Sequence, residues 1–439
     1  MTLGRHIAAH AGEYRVVRVG LIGCGEMGTD IITQLGLMPG LELAVLAELR
    51  LDYARAALKI AGVPPERISV VESVAAAEAA IDNGKIAVTD QAEIACTAGQ
   101  VDVIIDATGN PGYGAEISMR AMDHGKHVVM MNVEADITVG ASLAAYAAKR
   151  GVIYSLGAGD EPTALMELIR FAQNLGYPIV AAGKGKNNPL NFDAMPADYA
   201  EEAARRNMNP RMLVEFVDGS KTMIEMVAVA NATGLLPDVP GMHGPKAGLA
   251  ELDKVFRPRA AGGLLSREGV VDYSIGSGVA PGVFIVIRAP HPRVHERLSD
   301  LKMGEGPYFT FYRPYHLTSL EVPLTAAAVV LRGEAHMTPL ATPVAEVTAL
   351  AKRDLTPGTK LGKIGEIDYR GWAMTAADAR AADALPIGLA ERAEVIQPVK
   401  KGEMLTYANC RPDQSLGIVR LRAAQDAAIY GDSTHRRSA

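Results

Sequence analysis

Residues 16–50 read VVRVGLIGCGEMGTDIITQLGLMPGLELAVLAELR: an apolar run, a glycine turn, a helical stretch and a second apolar run. That is the order of a strand–helix–strand unit. Gly23, Gly25 and Gly28 give the turn its GxGxxG spacing, with Glu26 and Met27 inside it. Gly23 permits the tight turn, Gly25 lets backbone approach a pyrophosphate, and Gly28 lets the helix pack on the strand with its first N–H groups aimed at the phosphates. Twenty positions past Gly28 stands Glu48, suited to the adenine ribose diol of NAD, whereas Arg50 is suited to the 2'-phosphate of NADP. These two signals conflict. Asp30, inside the helical stretch, reads as a solvated residue.

Working outward, short apolar runs at 86–88, 101–107, 127–131 and 152–155 alternate with alanine-rich helical segments, which predicts a parallel sheet covered on both faces. The expected fold class is α/β: a Rossmann-type dinucleotide domain over 1–156, completed in one reading by a returning segment at 320–340. Ligands bind such sheets at the carboxyl ends of the strands. There the sequence places Thr108 and Gly109 in DATGN, Asn132 and Glu134 in MNVEAD, and Asp160 and Glu161 in LGAGDEP. Asn132 suits the nicotinamide and Glu134 the cofactor or substrate; the plainer alternative is that these residues cap the next helix. Carboxylates converging near residue 160 suit a divalent cation such as magnesium or manganese, although no spacing rule identifies a metal site.

Composition bounds the rest. At 439 residues the chain is too long for one core. Its 44 Lys and Arg against 50 Asp and Glu leave a net charge of -6, so no global positive field exists to hold nucleic acid. Cys24, Cys96 and Cys410 are widely spaced and odd in number, which argues against a disulfide frame or structural zinc. No apolar stretch approaches the roughly 20 residues of a membrane helix, and residues 1–15 lack a signal-peptide core. The expectation is a cytoplasmic enzyme with a small-molecule substrate, and a homodimer on base rates.

A second domain, α+β and carrying substrate and oligomerisation roles, is expected over 157–320. Its most informative stretch is AAGKGKNNPLNF, where Lys184, Lys186, Asn187, Asn188 and Asn191 crowd together after an apolar strand. Packing does not call for so many donors, whereas a phosphate or polyol does, and a lysine desolvated beside another lysine can donate a proton near neutrality. EFVDGSKTMIEM adds Asp218, Ser220, Lys221, Thr222 and Glu225. A helix starting near Ser220 would offer its N–H groups with Ser220, Lys221 and Thr222 as an anion site, and Lys221 and Glu225 as an i, i+4 pair. Arg313, Tyr315 and His316 form a further polar cluster, with His316 an acid/base candidate and Arg313 a phosphate ligand; His243 and Lys246 are weaker candidates. A small β-rich module is expected over 342–425 and a flexible tail over 426–439. No GxSxG, HExxH or P-loop occurs, which removes support for hydrolase and kinase readings.

GLIGCGEMG, DEPTALMELI, GKGKNNPLNF, EFVDGSKTMIEM, PYFTFYRPYHLTSLEVPL and the terminal LPIGLAE and VIQPVKKGEMLTYANC together resemble the homoserine-dehydrogenase-like oxidoreductases with a C-terminal SAF domain. Within that group they are most similar to the 1-deoxy-D-xylulose 5-phosphate reductoisomerase-like (DRL) proteins. The resemblance spans nearly the whole chain. It implies an NADPH-dependent isomeroreductase making 2-C-methyl-D-erythritol 4-phosphate for isoprenoid synthesis, with NADP(H) favoured over NAD(H). Homoserine dehydrogenases proper carry a lysine where this chain has Asn132-Val133-Glu134, so homoserine oxidation is not expected. On this reading Lys184, Lys186, Asn187, Lys221, Asp218, Glu225, Glu161 and His316 are catalytic candidates, and Ser220, Lys221, Thr222 and Arg313 hold the substrate phosphate. Two alternatives stand beside it: an NAD(P) oxidoreductase of a sugar acid or polyol phosphate without rearrangement, and a cofactor-gated sensor that binds without turnover.

Overall fold

The computed structural model describes residues 3–7, 16–206 and 208–431. By internal contacts the chain forms two compact units, Met1–Thr163 with Leu317–Ala341, and Ala164–His316 with Thr342–Ala439.

The first unit is built on seven strands: β1 Val17–Ile22, β2 Leu41–Ala47, β3 Ile68–Val70, β4 Ile86–Thr89, β5 Val103–Asp106, β6 His127–Met130 and β7 Tyr154–Leu156. They run parallel in the order β3-β4-β2-β1-β5-β6-β7. Helices α1 Glu26–Gly36, α2 Leu51–Ile60, α3 Val74–Asp82, α4 Ala92–Thr97, α5 Pro111–Asp123 and α6 Val133–Arg150 lie between them in sequence. Burial on both faces explains why the central strands are apolar without alternation: Val17, Val19 and Leu21 expose nothing. Gly20 makes room there, because a Cβ would sit 2.5 Å from the side chain of Ile104, which would have to shift. Strand β3 escapes a sequence reading because it is short and half-exposed at the sheet edge. The chain order reverses between β1 and β5, which opens the crevice at which such sheets take ligands.

The segment Leu317–Ala341 belongs to this first unit. Its helix, Val322–Arg332, adds Val322, Ala326, Ala327 and Val329 to the core under β1 and β5. Asp30 is not simply solvated, since Ser319 Oγ donates to its Oδ2 at 2.8 Å.

Helix α7, Glu161–Asn174, leads into the second unit. There a five-stranded sheet forms from β8 Ile179–Gly185, β9 Leu236–Pro237, β10 Val270–Ser274, β11 Val283–Arg288 and β12 Tyr308–Arg313, in the order β12-β11-β8-β10-β9. Helix α8, Pro210–Val217, precedes α9, Ser220–Thr233. From Thr222 to Asn231 every residue of α9 is buried, in keeping with its apolar sequence on all sides. An antiparallel pair, β13 Ala345–Ala351 and β14 Tyr369–Thr375, packs against α9.

A final helix runs over Gly417–Tyr430. This corrects the expected start of a tail at 426. Ile418 and Val419 are buried, and Arg422 reaches Asp426 at 2.8 Å and Glu346 at 2.6 Å. Residues 432–439 lie outside the described residues. All three cysteines are buried thiols. No described helix is long and apolar enough to cross a membrane.

Candidate functional site

In the first unit the glycine turn has the shape of a dinucleotide cradle. Gly23 has φ +91°, and a Cβ on it would lie 2.7 Å from the Ala107 carbonyl oxygen. On Gly28 a Cβ would lie 2.4 Å from the Gly23 oxygen, so close helix packing demands glycine. Gly25 differs, because nothing lies within 4 Å of its added Cβ. That open space lies at the uncapped N-terminus of α1, beside exposed Glu26 and Met27, where a pyrophosphate fits. The site residues thus suit a dinucleotide.

Glu48 takes backbone N–H groups from both sides: Cys24 donates to Oε2 at 3.1 Å and Arg50 to Oε1 at 3.1 Å. The exposed Arg50 guanidinium lies over the ring of Tyr53, 3.2 Å from the ring centre. The conflicting pair from the sequence therefore sits together at the end of β2.

At the end of β5, Asp106 is buried and accepts from Thr108 N–H at 3.0 Å and Thr108 Oγ1 at 2.7 Å. Burial pushes its carboxyl up to about 6, and Oδ2 is left without a partner. Gly114 keeps that side clear, since a Cβ there would lie 2.2 Å from Oδ2. Gly109 is exposed with φ +62°. Asn132 is buried and caps α6 by accepting from Ala135 N–H at 3.3 Å, while its Nδ2 has no partner. The capping alternative thus describes its oxygen but leaves its nitrogen unused. Glu134 is half-buried in the first turn of α6, and Glu161 half-buried in the first turn of α7, next to Asp160.

In the second unit the register of β8 and β10 sets Tyr273 beside Lys184. Lys184 and Lys186, two residues apart on β8 and its continuation, fall on the same face. Lys184 Nζ is paired with Glu225 of α9, and both side chains are almost wholly buried. Lys186 Nζ donates to the Phe216 carbonyl. Burial, reinforced by Lys184, pulls the Lys186 ammonium down to about 8. Asp218 is buried and accepts from Ser220 N–H at 2.9 Å and Lys352 Nζ at 3.1 Å. Burial raises its carboxyl and Lys352 opposes the rise.

This geometry corrects the expectation of an open anion site at the start of α9 and places the other expected residues. Ser220 is not open to phosphate: its N–H serves Asp218 and its Oγ accepts from Gly371 N–H at 2.8 Å, so β14 covers the helix start. Thr222 is buried within α9. Glu225 is buried and meets Lys184, while Lys221 is half-buried in the first turn of α9. Asn187 is exposed beyond the strand. Arg313 lies 3.2 Å from Glu167 and over Tyr315. His316 Nδ1–H donates to the Pro281 carbonyl at 2.8 Å, which fixes its tautomer. His243 is fastened to Asp238 at 2.9 Å, and its N–H with that of Gly244 serves buried Asp272.

Residues 23–156 match the family model described as homoserine dehydrogenase, NAD binding domain, and residues 159–322 match the one described as oxidoreductase DRL, catalytic domain. Together the two matches support an NAD(P)-dependent oxidoreductase, residues 159–322 of which are similar to the DRL catalytic domain. No curated protein matches it significantly. Similar solved structures include a probable dehydrogenase from Thermotoga maritima, at 15% identity over 73% of this chain and 90% of that one, TM-score 0.42. Scyllo-inositol dehydrogenase from Lactobacillus casei, with bound NAD(H) and scyllo-inositol, is 16% identical over 62% and 74%, TM-score 0.36. DOX-P reductoisomerase with fosmidomycin and magnesium is 13% identical over 50% and 58%, TM-score 0.37. Likeness at this level says nothing about the substrate of this oxidoreductase.

The DRL-type span contains Lys184, Lys186, Asp218 and Glu225 but ends before residue 342. Lys352, which joins the cluster through Asp218, and Arg370 and Trp372, which meet at Phe192, come from the C-terminal part of the chain and were not apparent from the sequence. Lys352 follows the stretch AEVTALA, residues 345–351, like any strand-end lysine. Its only local signal was that seven buried residues lead straight into it.

Proposed function

We propose that this oxidoreductase converts 1-deoxy-D-xylulose 5-phosphate to 2-C-methyl-D-erythritol 4-phosphate with NADPH. The observation that carries the reading is the buried Lys184–Glu225 pair with Lys186 beside it, within the DRL-type span. An isomeroreductase must move protons between vicinal oxygens, hold a developing oxyanion and receive a hydride in a shielded site. Lys184 polarises the ketone oxygen, and Glu225, in contact with it, takes a proton from the neighbouring hydroxyl. The carbon skeleton rearranges to an aldehyde, a nicotinamide held at the GCGEMG turn would supply the hydride, and Lys186 delivers the proton to the alkoxide. One proton is consumed per hydride.

For the cofactor we favour NADP(H). Arg50 lies on Tyr53 without a carboxylate within salt-bridge distance among the described residues, and Glu48 is turned toward backbone N–H groups. A divalent cation, magnesium or manganese, would draw on the oxygen donors of Asp160 and Glu161 and would polarise the substrate oxygens.

The homoserine-dehydrogenase-like match of residues 23–156 keeps a second reading in play: reduction of a polyol phosphate or sugar acid without rearrangement. Complementation decides between them. Expression in a bacterium lacking its ordinary reductoisomerase restores growth on the first reading; failure by a soluble, expressed protein sinks it.

A further inference from the structure

Each ammonium of the lysine cluster in the second unit already has a partner within the fold. Lys184 has Glu225, Lys352 has Asp218 at 3.1 Å with neither side chain exposed, and Lys186 has the Phe216 carbonyl. A substrate anion therefore finds these N–H donors already engaged. One cation beside them is not. Arg370, on β14, has no carboxylate within 4.0 Å among the described residues, and its one hydrogen bond there is a long contact of 3.5 Å to the Gly371 carbonyl.

Two aromatic rings hold that guanidinium. Its central carbon lies 4.1 Å from the ring centre of Phe192 and 4.7 Å from that of Trp372, and the two rings meet edge to face at 5.7 Å. Phe192 belongs to the same GKGKNNPLNF stretch that supplies Lys184 and Lys186. Aromatic faces attract a guanidinium and fix its plane without using its N–H groups, so the donors stay available to an anion. Partial burial lowers the pKa of Arg370 and Asp218, Asp193 and Tyr273 oppose the shift, so the charge is partly stripped of water yet still close to the Asp218 pair. A half-desolvated, pre-oriented guanidinium is the group that binds a phosphate through two parallel hydrogen bonds.

We infer that Arg370 grips the phosphate monoester of the substrate, which gives the C-terminal module a direct part in the active site. The inference rests on the phosphorylated substrate proposed above, and it moves the phosphate anchor from Ser220 and Thr222 to the corner formed by Phe192 and Trp372. The same corner supplies the reporter, because Trp372 is the one tryptophan in the chain.

The test titrates inorganic phosphate into the intact protein at constant ionic strength, by calorimetry and Trp372 emission, with acetate as the comparison anion. The expected result is saturable phosphate binding that weakens by about tenfold to a hundredfold in Arg370→Gln, with acetate ineffective. Arg370→Lys keeps the charge and loses the fork, and its affinity falls by about tenfold, which covers the case where Arg370→Gln does not fold. Equal affinities in wild type and variants, no saturable binding, or acetate binding as well as phosphate would overturn the inference. Phosphate binding with no turnover of deoxyxylulose phosphate would instead count against the proposed reaction alone.

Discussion

Replacing Lys352 by methionine tests whether the C-terminal strands complete the catalytic cluster. The Lys352–Asp218 pair is 3.1 Å long and neither side chain exposes any surface. Removing one member of a buried ion pair strands the other charge, at a cost of about 3–5 kcal/mol. The pH dependence has a definite sign. Burial already raises the Asp218 carboxyl in the fold, and Lys352 is the largest influence opposing it. Without Lys352 the folded pKa climbs further above the unfolded value near ~3.9, so the fold binds the proton more tightly than the unfolded chain does. The stability deficit of Lys352→Met is therefore largest above the raised pKa and shrinks as pH falls through it toward the unfolded value. Urea unfolding followed by Trp372 emission reports on this unit directly. A deficit below about 0.5 kcal/mol near pH 8, where surface substitutions fall, would refute the reasoning. So would a double variant Lys352→Met, Asp218→Asn that recovers nothing, because neutralising both members removes the stranded charge.

Other outcomes follow from the same geometry. With Lys186 drawn down to about 8, a reaction that uses its ammonium as proton donor slows as pH rises through that value; Lys186→Arg loses this limb from the pH profile, and a limb left in place would assign it to another group. Arg50→Ala raises KM for NADPH by about tenfold or more while leaving NADH nearly unchanged, measured by initial rates with each cofactor; equal effects would remove Arg50 from the 2'-phosphate. Gly25→Val folds normally but loses cofactor affinity, whereas Gly28→Val is destabilised even without cofactor, because only the second Cβ meets backbone at 2.4 Å. Thermal unfolding paired with a cofactor-binding titration separates the two.

The parts legible in the sequence were those whose signals are local. GCGEMG, the doubly buried strands and the crowding of Lys184 and Lys186 all declare themselves within a dozen residues. Pairings between residues far apart in the chain were not legible. Spacing gave no hint that Glu225 pairs with Lys184, 41 residues away. Ser220 begins a helix that appears open in sequence, but Asp218 and Gly371 close it. Lys352 meets Asp218 across 134 residues, and Arg370 becomes notable only once Phe192 and Trp372 fold around it. Such pairings leave no periodic trace in the chain.

The central claim is a rearranging reduction, and product analysis tests it most directly. Purified protein incubated with 1-deoxy-D-xylulose 5-phosphate and NADPH should form one branched methylerythritol phosphate for each NADPH oxidised, identified by NMR of the product. Formation of an unbranched polyol phosphate, or no NADPH oxidation by folded protein, would contradict it.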